Sequence, residues 1–149
     1  MKKVFIVLIV AFVVLASVSA FEFKSVGIEV GQGPMVSADM EIVDKFDVYV
    51  RTGYYNVFLV STGAQYEVTS FKLDGTAIAL KPGVQLNFNF RDNYFNFRAL
   101  GTCQFSFKTG KLTAFLRPGL GLDVFSYGKN NTQTEFAWTI EAGVAYLFN

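Results

Sequence analysis

The most constraining feature of this chain is a two-residue alternation of apolar and polar side chains, sustained over strand-length stretches. Over 77–90, Ile78, Leu80, Val84, Leu86, Phe88 and Phe90 share one face, against Lys81, Gly83, Gln85, Asn87 and Asn89. After the connection RDN the parity flips. Phe95, Phe97, Ala99, Cys103, Phe105 and Phe107 now stand against Asn96, Arg98, Thr102, Gln104 and Ser106. A tight KTG turn at 108–110 leads into Leu112, Ala114, Leu116, Pro118, Leu120, Leu122 and Val124. The polar loop GKNNTQTE follows, and then Trp138, Ile140, Ala142, Val144, Tyr146 and Phe148. A period of two is the mark of a β-strand whose faces meet different surroundings. Helical periodicity is nearly absent, so the fold class is all-β.

The first half divides into strands at about 23–31, 35–43, 46–59 and 63–71, joined by GQGP, DKF, a bend near Ser61–Thr62 and KLDGT. A turn at Arg51–Thr52–Gly53 would instead give seven strands. Two considerations place those residues inside a strand. Single-chain bacterial barrels close on an even strand number. An internal repeat also aligns RTGYYNVF (51–58), KPGVQLNF (81–88) and RPGLGLDVF (117–125), with a weaker copy at Ser25–Ile28. The expectation is eight strands in four hairpins. Pro82 and Pro118 fall inside strands at matched positions, where a bulge near one rim would accommodate them.

The distribution of charge decides which face is outside. The apolar faces carry no charge in their middles. The other faces hold Glu29, Asp39, Glu41, Asp47, Arg51, Glu67, Lys81, Arg98, Arg117, Asp123 and Glu141. An eight-stranded barrel has an interior just wide enough for side chains. Aromatic residues make up 17% of the chain and mean hydropathy is +0.35; packing that load inside would overfill the barrel. Inverted, it fits: Gly27, Gly53, Gly83, Gly119, Gly121 and Gly143 lie on the polar face and leave room for long side chains. Lipid outside demands that every backbone group be paired, which only closure provides. The predicted fold is therefore an eight-stranded antiparallel up-and-down transmembrane β-barrel after a cleaved signal peptide.

The signal peptide is read from Lys2 and Lys3, the apolar run Val4–Ala16 and a small-residue exit with Val18 and Ala20 at the positions a signal peptidase reads. The run is too short to span a bilayer as a helix. Cleavage before Phe21 gives a signal at 1–20 and a barrel domain at 21–149, and the absence of Cys at 21 argues against a lipid anchor. The mature chain has 11 cations and 12 anions, so nothing points to nucleic acid. One cysteine, Cys103, forms no internal disulfide, and with no histidine in the chain every His-dependent triad and His-metal site is excluded. Glu67 and Glu141, read as facing the same way on neighbouring strands, are the one conceivable acid–base pair. No catalysis, metal or cofactor is expected.

The lumen is the remaining constellation. Arg51, Lys81 and Arg117 each precede a glycine by two residues, on alternate strands, and should lie at similar heights. Together with Glu67, Glu141, Arg98 and Glu41 they suggest a cross-lumen ion-pair network that plugs the barrel. The alternative is that each charge is simply hydrated in a wet lumen. Phe21, Phe23, Tyr94, Phe95, Tyr127, Phe136, Tyr146 and Phe148, near strand ends, suit interfacial girdles.

The last stretch, EAGVAYLFN, resembles the C-terminal signal that outer-membrane barrels present to their assembly machinery. Glu141, Gly143, Tyr146 and Phe148 match it, and Asn149 extends one residue past the usual aromatic end. With the eight alternating strands, the chain resembles the small OmpA/OmpX-type barrels. That resemblance implies a monomeric outer-membrane protein, with lipid and the assembly machinery as partners. It also implies a structural or surface-interaction role. A narrow pore and a soluble lipocalin-like carrier are the alternatives.

Overall fold

The computed structural model describes residues 22–92, 94–127 and 134–148. The expected signal peptide, with Val18, Ala20 and Phe21, lies outside the described residues, as do most of GKNNTQTE and Asn149. The described chain is a sequence of strands: β1 (Glu22–Val30), β2 (Pro34–Val43), β3 (Phe46–Tyr54), β4 (Phe58–Tyr66), β5 (Thr69–Leu73), β6 (Thr76–Arg91), β7 (Tyr94–Thr109), β8 (Leu112–Tyr127) and β9 (Glu135–Leu147). All neighbours are antiparallel, in the order β4-β3-β2-β1-β9-β8-β7-β6-β5. A further pairing of β4 with β6, from Phe58↔Phe90 to Gln65↔Gly83, closes the sheet. β4 and β5 both lie along β6, separated only by Glu67 and Val68, so nine segments make eight staves of a closed up-and-down barrel.

The connections follow local turn chemistry. Asp74 and Gly75, both at positive φ (46° and 81°), join Leu73 to Thr76 as an Asp-Gly type I′ hairpin. Gly110 (φ 60°) opens the two-residue loop between Thr109 and Leu112. The β3–β4 connection departs from the sequence reading. It falls at Tyr55–Val57, with Asn56 at φ 57°, and not at Ser61–Thr62, which sit mid-strand in β4. Arg51–Gly53 lies within β3 as expected. The expected strand 63–71 is instead interrupted at Glu67–Val68.

The prolines occupy gaps in the ladders, not bulges. The register irregularities lie at Phe23/Ser25, Glu41/Val43 and Phe97/Arg98. Pro82 immediately follows Lys81 and sits one residue beyond Gly83, where the β4–β6 ladder ends. Between β7 and β8 the ladder skips from Thr102↔Gly119 to Phe105↔Leu116, across Pro118. A residue with no N–H cannot complete the pair on one side, and Pro82 and Pro118 each coincide with such a break.

Stagger sets the shape. Partners followed from Val26 run through Ala38, Val50, Thr62, Leu86, Ala99 and Leu122 to Phe136. Phe136 is six residues short of Ala142, the partner of Val30. One circuit therefore returns about ten residues along β1, which for eight strands tilts them by about 40°. At that tilt a nine- or ten-residue strand rises roughly 25 Å, the height of an apolar band in a membrane barrel. Ile28, Val36, Val84, Leu120, Trp138 and Ile140 are exposed on the outer wall. Near the rim carrying the β3–β4 and β6–β7 connections, Phe58, Phe90, Phe95 and Phe125 form a continuous row across four staves, with successive ring centroids 6.3, 5.2 and 6.1 Å apart. This rim is termed the loop end, and the rim with the β2–β3, β5–β6 and β7–β8 turns the turn end.

Candidate functional site: a layered polar lumen

Inward positions alternate with the apolar wall, and they sort into three layers. The middle layer is an ion cluster in which Arg51 and Arg117 converge on the same two carboxylates. Arg51 Nη1 donates to Glu29 Oε2 at 3.0 Å and also to Glu141 Oε2. Arg117 Nη1 reaches Glu29 at 3.4 Å and Glu141 at 3.3 Å. Arg117 Nε donates to Gln104 Oε1 at 2.9 Å. Gln85 Nε2 donates to the other oxygen of Glu141 at 2.9 Å and to Asn87 at 2.7 Å. Both guanidinium groups lie over the Tyr49 ring, at 4.6 and 4.3 Å from its centroid, and Arg117 also lies over Phe115 at 4.9 Å. The four charges balance, and none of the four side chains is more than 2% exposed.

Two glycines make room for the aromatic rings. A Cβ at Gly63 would overlap Tyr49 Cζ, and one at Gly143 would sit 2.7 Å from Phe115 Cζ. Any side chain at Gly63 would push Tyr49 away from the arginines it supports.

On the loop side the cluster is capped by apolar side chains. Met35, Leu59, Leu100 and Ala137 point inward and are buried, opposite Gly53, Asn89, Gln85 and Gly121 respectively. Beyond them, Arg98 pairs with Asp123, and Asn89, Asn96 and Ser126 form a hydrogen-bonded row. A pocket of about 60 Å³ lies at this end, beside Met35, Leu59 and Asn89.

The turn-end layer is looser. Asp47 holds Lys24 and Lys81, each at 2.7 Å. Lys24 also binds Glu41 at 2.7 Å, and Glu67 reaches Lys81 at 3.6 Å. Lys24, Asp47, Glu67 and Lys81 border a cavity of about 260 Å³.

The residues singled out from sequence are thus distributed over all three layers. Arg51, Arg117 and Glu141 come together. Lys81 does not join them: Gly83 pairs with Gln65, well past Ser61, the partner of Arg51, so Lys81 falls nearer the turn rim. Glu67 follows it there, and its link between β4 and β5 does not neighbour β9, which carries Glu141. Arg98 and Glu41 sit at opposite ends of the lumen. Of the C-terminal pattern, Glu141 and Gly143 face inward, whereas Tyr146 and Phe148 face outward with ring centroids 6.0 Å apart. The sequence reading gave no role to Tyr49, Lys24 or Asp47, nor to Glu29 as a partner. For Tyr49, Asp47 and Glu29 parity was the available signal, whereas Lys24 has the parity of outward-facing Val26 and pairs with Asp47 from the register irregularity between Phe23 and Ser25.

No family model and no curated protein matches the chain. Among solved structures it is similar to the de novo designed protein TMB2.3, determined by solution NMR, with a TM-score of 0.50 and 12% identity over 89% of this chain and 98% of the designed one. At that identity the likeness concerns the fold, a small closed barrel; it does not tie the chain to the OmpA/OmpX type.

Proposed function

We propose that this protein is a monomeric integral barrel of an outer membrane. Its lumen is plugged by side chains, and its role is structural or interactive, without catalysis. The observation that carries this reading is the inversion of the wall. Ile28, Leu120, Phe136 and Trp138 are each more than 60% exposed outside, while Arg51 and Arg117 are at most 1% exposed inside. A water-soluble barrel would gain nothing from that arrangement, whereas acyl chains would cover the outer face at roughly 25 cal/mol for each Å² removed from water. The likeness to a designed transmembrane β-barrel is consistent with it.

The balanced middle layer and its apolar cap support a plug over a pore, since an ion crossing there would have to displace paired, desolvated charges. The terminal Glu141–Phe148 pattern supports recognition by the outer-membrane assembly machinery. The test is refolding into liposomes, followed by flotation, heat-modifiable gel mobility and planar-bilayer conductance. Flotation with a mobility shift and no steady conductance is expected. A soluble monomer would overturn the membrane assignment, and stable single-channel currents would overturn the plug.

A further inference from the structure

The turn-end cavity holds more acceptors than the protein itself satisfies. Its lining includes Lys24, Lys81 and Lys108 and the acids Asp39, Asp47 and Glu67. Asp47 is fully engaged by two ammonium groups, while Glu67 has only its 3.6 Å contact with Lys81. Asp39 accepts a hydrogen bond from Ser25, and among the described residues no lysine or arginine stands within ion-pair distance of it. Gln65 is paired across strands with Asp47, is 3% exposed and lines the same cavity. Its carbonyl oxygen has no hydrogen-bond partner among the described residues. With Glu41 at Lys24, four carboxylates stand against three lysines. Asp39 on β2 and Gln65 on β4 thus stand either side of Asp47 on β3.

We infer that this vestibule binds a small aliphatic amine carrying two or more ammonium groups. An ammonium is a compact charge with three donors, and Asp47 already holds two of them at 2.7 Å. Asp39 supplies oxygens for a first ligand ammonium and Glu67 for a second, and Gln65, whose oxygen is buried and unpartnered, joins the first on turning its amide toward the cavity. Ala77, Ala79, Phe115 and Leu147 in the same lining give the connecting methylenes an apolar wall. A volume of about 260 Å³ suits a short chain, being below the usual 300–1,000 Å³ of drug-sized pockets. A metal ion fits less well, because no group of three or more His, Cys, Asp or Glu among the described residues is placed to hold one.

The test is calorimetric titration of the full refolded barrel in detergent micelles with 1,4-diaminobutane and with spermidine, folding being verified by heat-modifiable mobility. Saturable one-to-one binding is expected, weakened about tenfold by Asp39→Asn, which removes a charge-assisted contact. Glu67→Gln should weaken diaminobutane more than it weakens butylamine, which has one ammonium, and it keeps the inference testable should Asp39→Asn fail to fold. Asp123→Asn, at the opposite end, should change nothing. Absence of saturable binding, affinities in the Asp39 and Glu67 variants unchanged from those of the unsubstituted barrel, or displacement by Mg²⁺ at matched ionic strength would overturn the inference. Because the readout is in micelles, its failure would leave the membrane assignment standing.

Discussion

The two ends of the lumen solve the problem of enclosed charge differently. Toward the loop end, Arg51, Arg117, Glu29 and Glu141 are capped by Met35, Leu59 and Leu100 and cut off from solvent. Toward the turn end, Lys24, Lys81, Asp47 and Glu67 border an open cavity, with Lys24 and Glu67 at 28% and 23% side-chain exposure. Desolvated charges must be neutralised, because removing one partner strands the other; the middle layer balances its charges, although Arg51 Nε and Nη2 meet no acceptor among the described residues. Partly solvated ones tolerate imperfect matching, because water covers the remainder. The barrel is therefore a one-sided cup: sealed above its middle layer and wet below it.

The sharpest way to break this contrast is Glu141→Ala. It leaves both arginines short of a partner and should destabilise the barrel by about 3–5 kcal/mol, read from urea unfolding in detergent. Arg117→Ala should act in the same direction and lower the thermal unfolding temperature; no change would mean that the middle layer is hydrated after all. Leu100→Ala, which opens the apolar cap, should cost about 2–5 kcal/mol and let small ions leak in bilayer recordings. The smallest effect is expected at the wet end. Lys24→Ala should cost less than about 1 kcal/mol at low salt, and the difference should vanish near 1 M salt, where screening acts within about 3 Å. If Lys24→Ala were as damaging as Glu141→Ala, the two ends would not differ as described.

Much of this was legible in the sequence because membrane barrels encode inside and outside by parity. The flip between Phe90 and Phe95 marks the β6–β7 connection, and Asp74-Gly75 marks a hairpin. The β3–β4 turn was hidden because its three residues preserve parity: Val50, Thr52 and Tyr54 face outward before it, and Phe58, Val60 and Thr62 after it. Only Asn56, a residue that tolerates positive φ, signals it locally. The interruption after Tyr66 escaped for the opposite reason. Parity does change there, since Ser70 faces the cavity while its neighbour Phe71 is exposed, but the flanking residues hold no turn signal. In the lumen, parity identified which residues face inward but not their heights. Stagger separates Lys81 from Arg51 and Arg117 despite the shared motif, and stagger depends on long-range register that local sequence does not carry. Tyr49 was missed because an aromatic on a polar face reads as an exception until Gly63 is seen opposite it.

The central claim, that the apolar face of the wall meets acyl chains, can be tested at one side chain. Trp138 is the sole tryptophan and stands 65% exposed on the outer face of β9. In liposomes containing brominated lipids its emission should be blue-shifted and strongly quenched, and aqueous iodide should have little effect. Quenching by iodide with no response to brominated lipid would place Trp138 in water and contradict the inverted barrel.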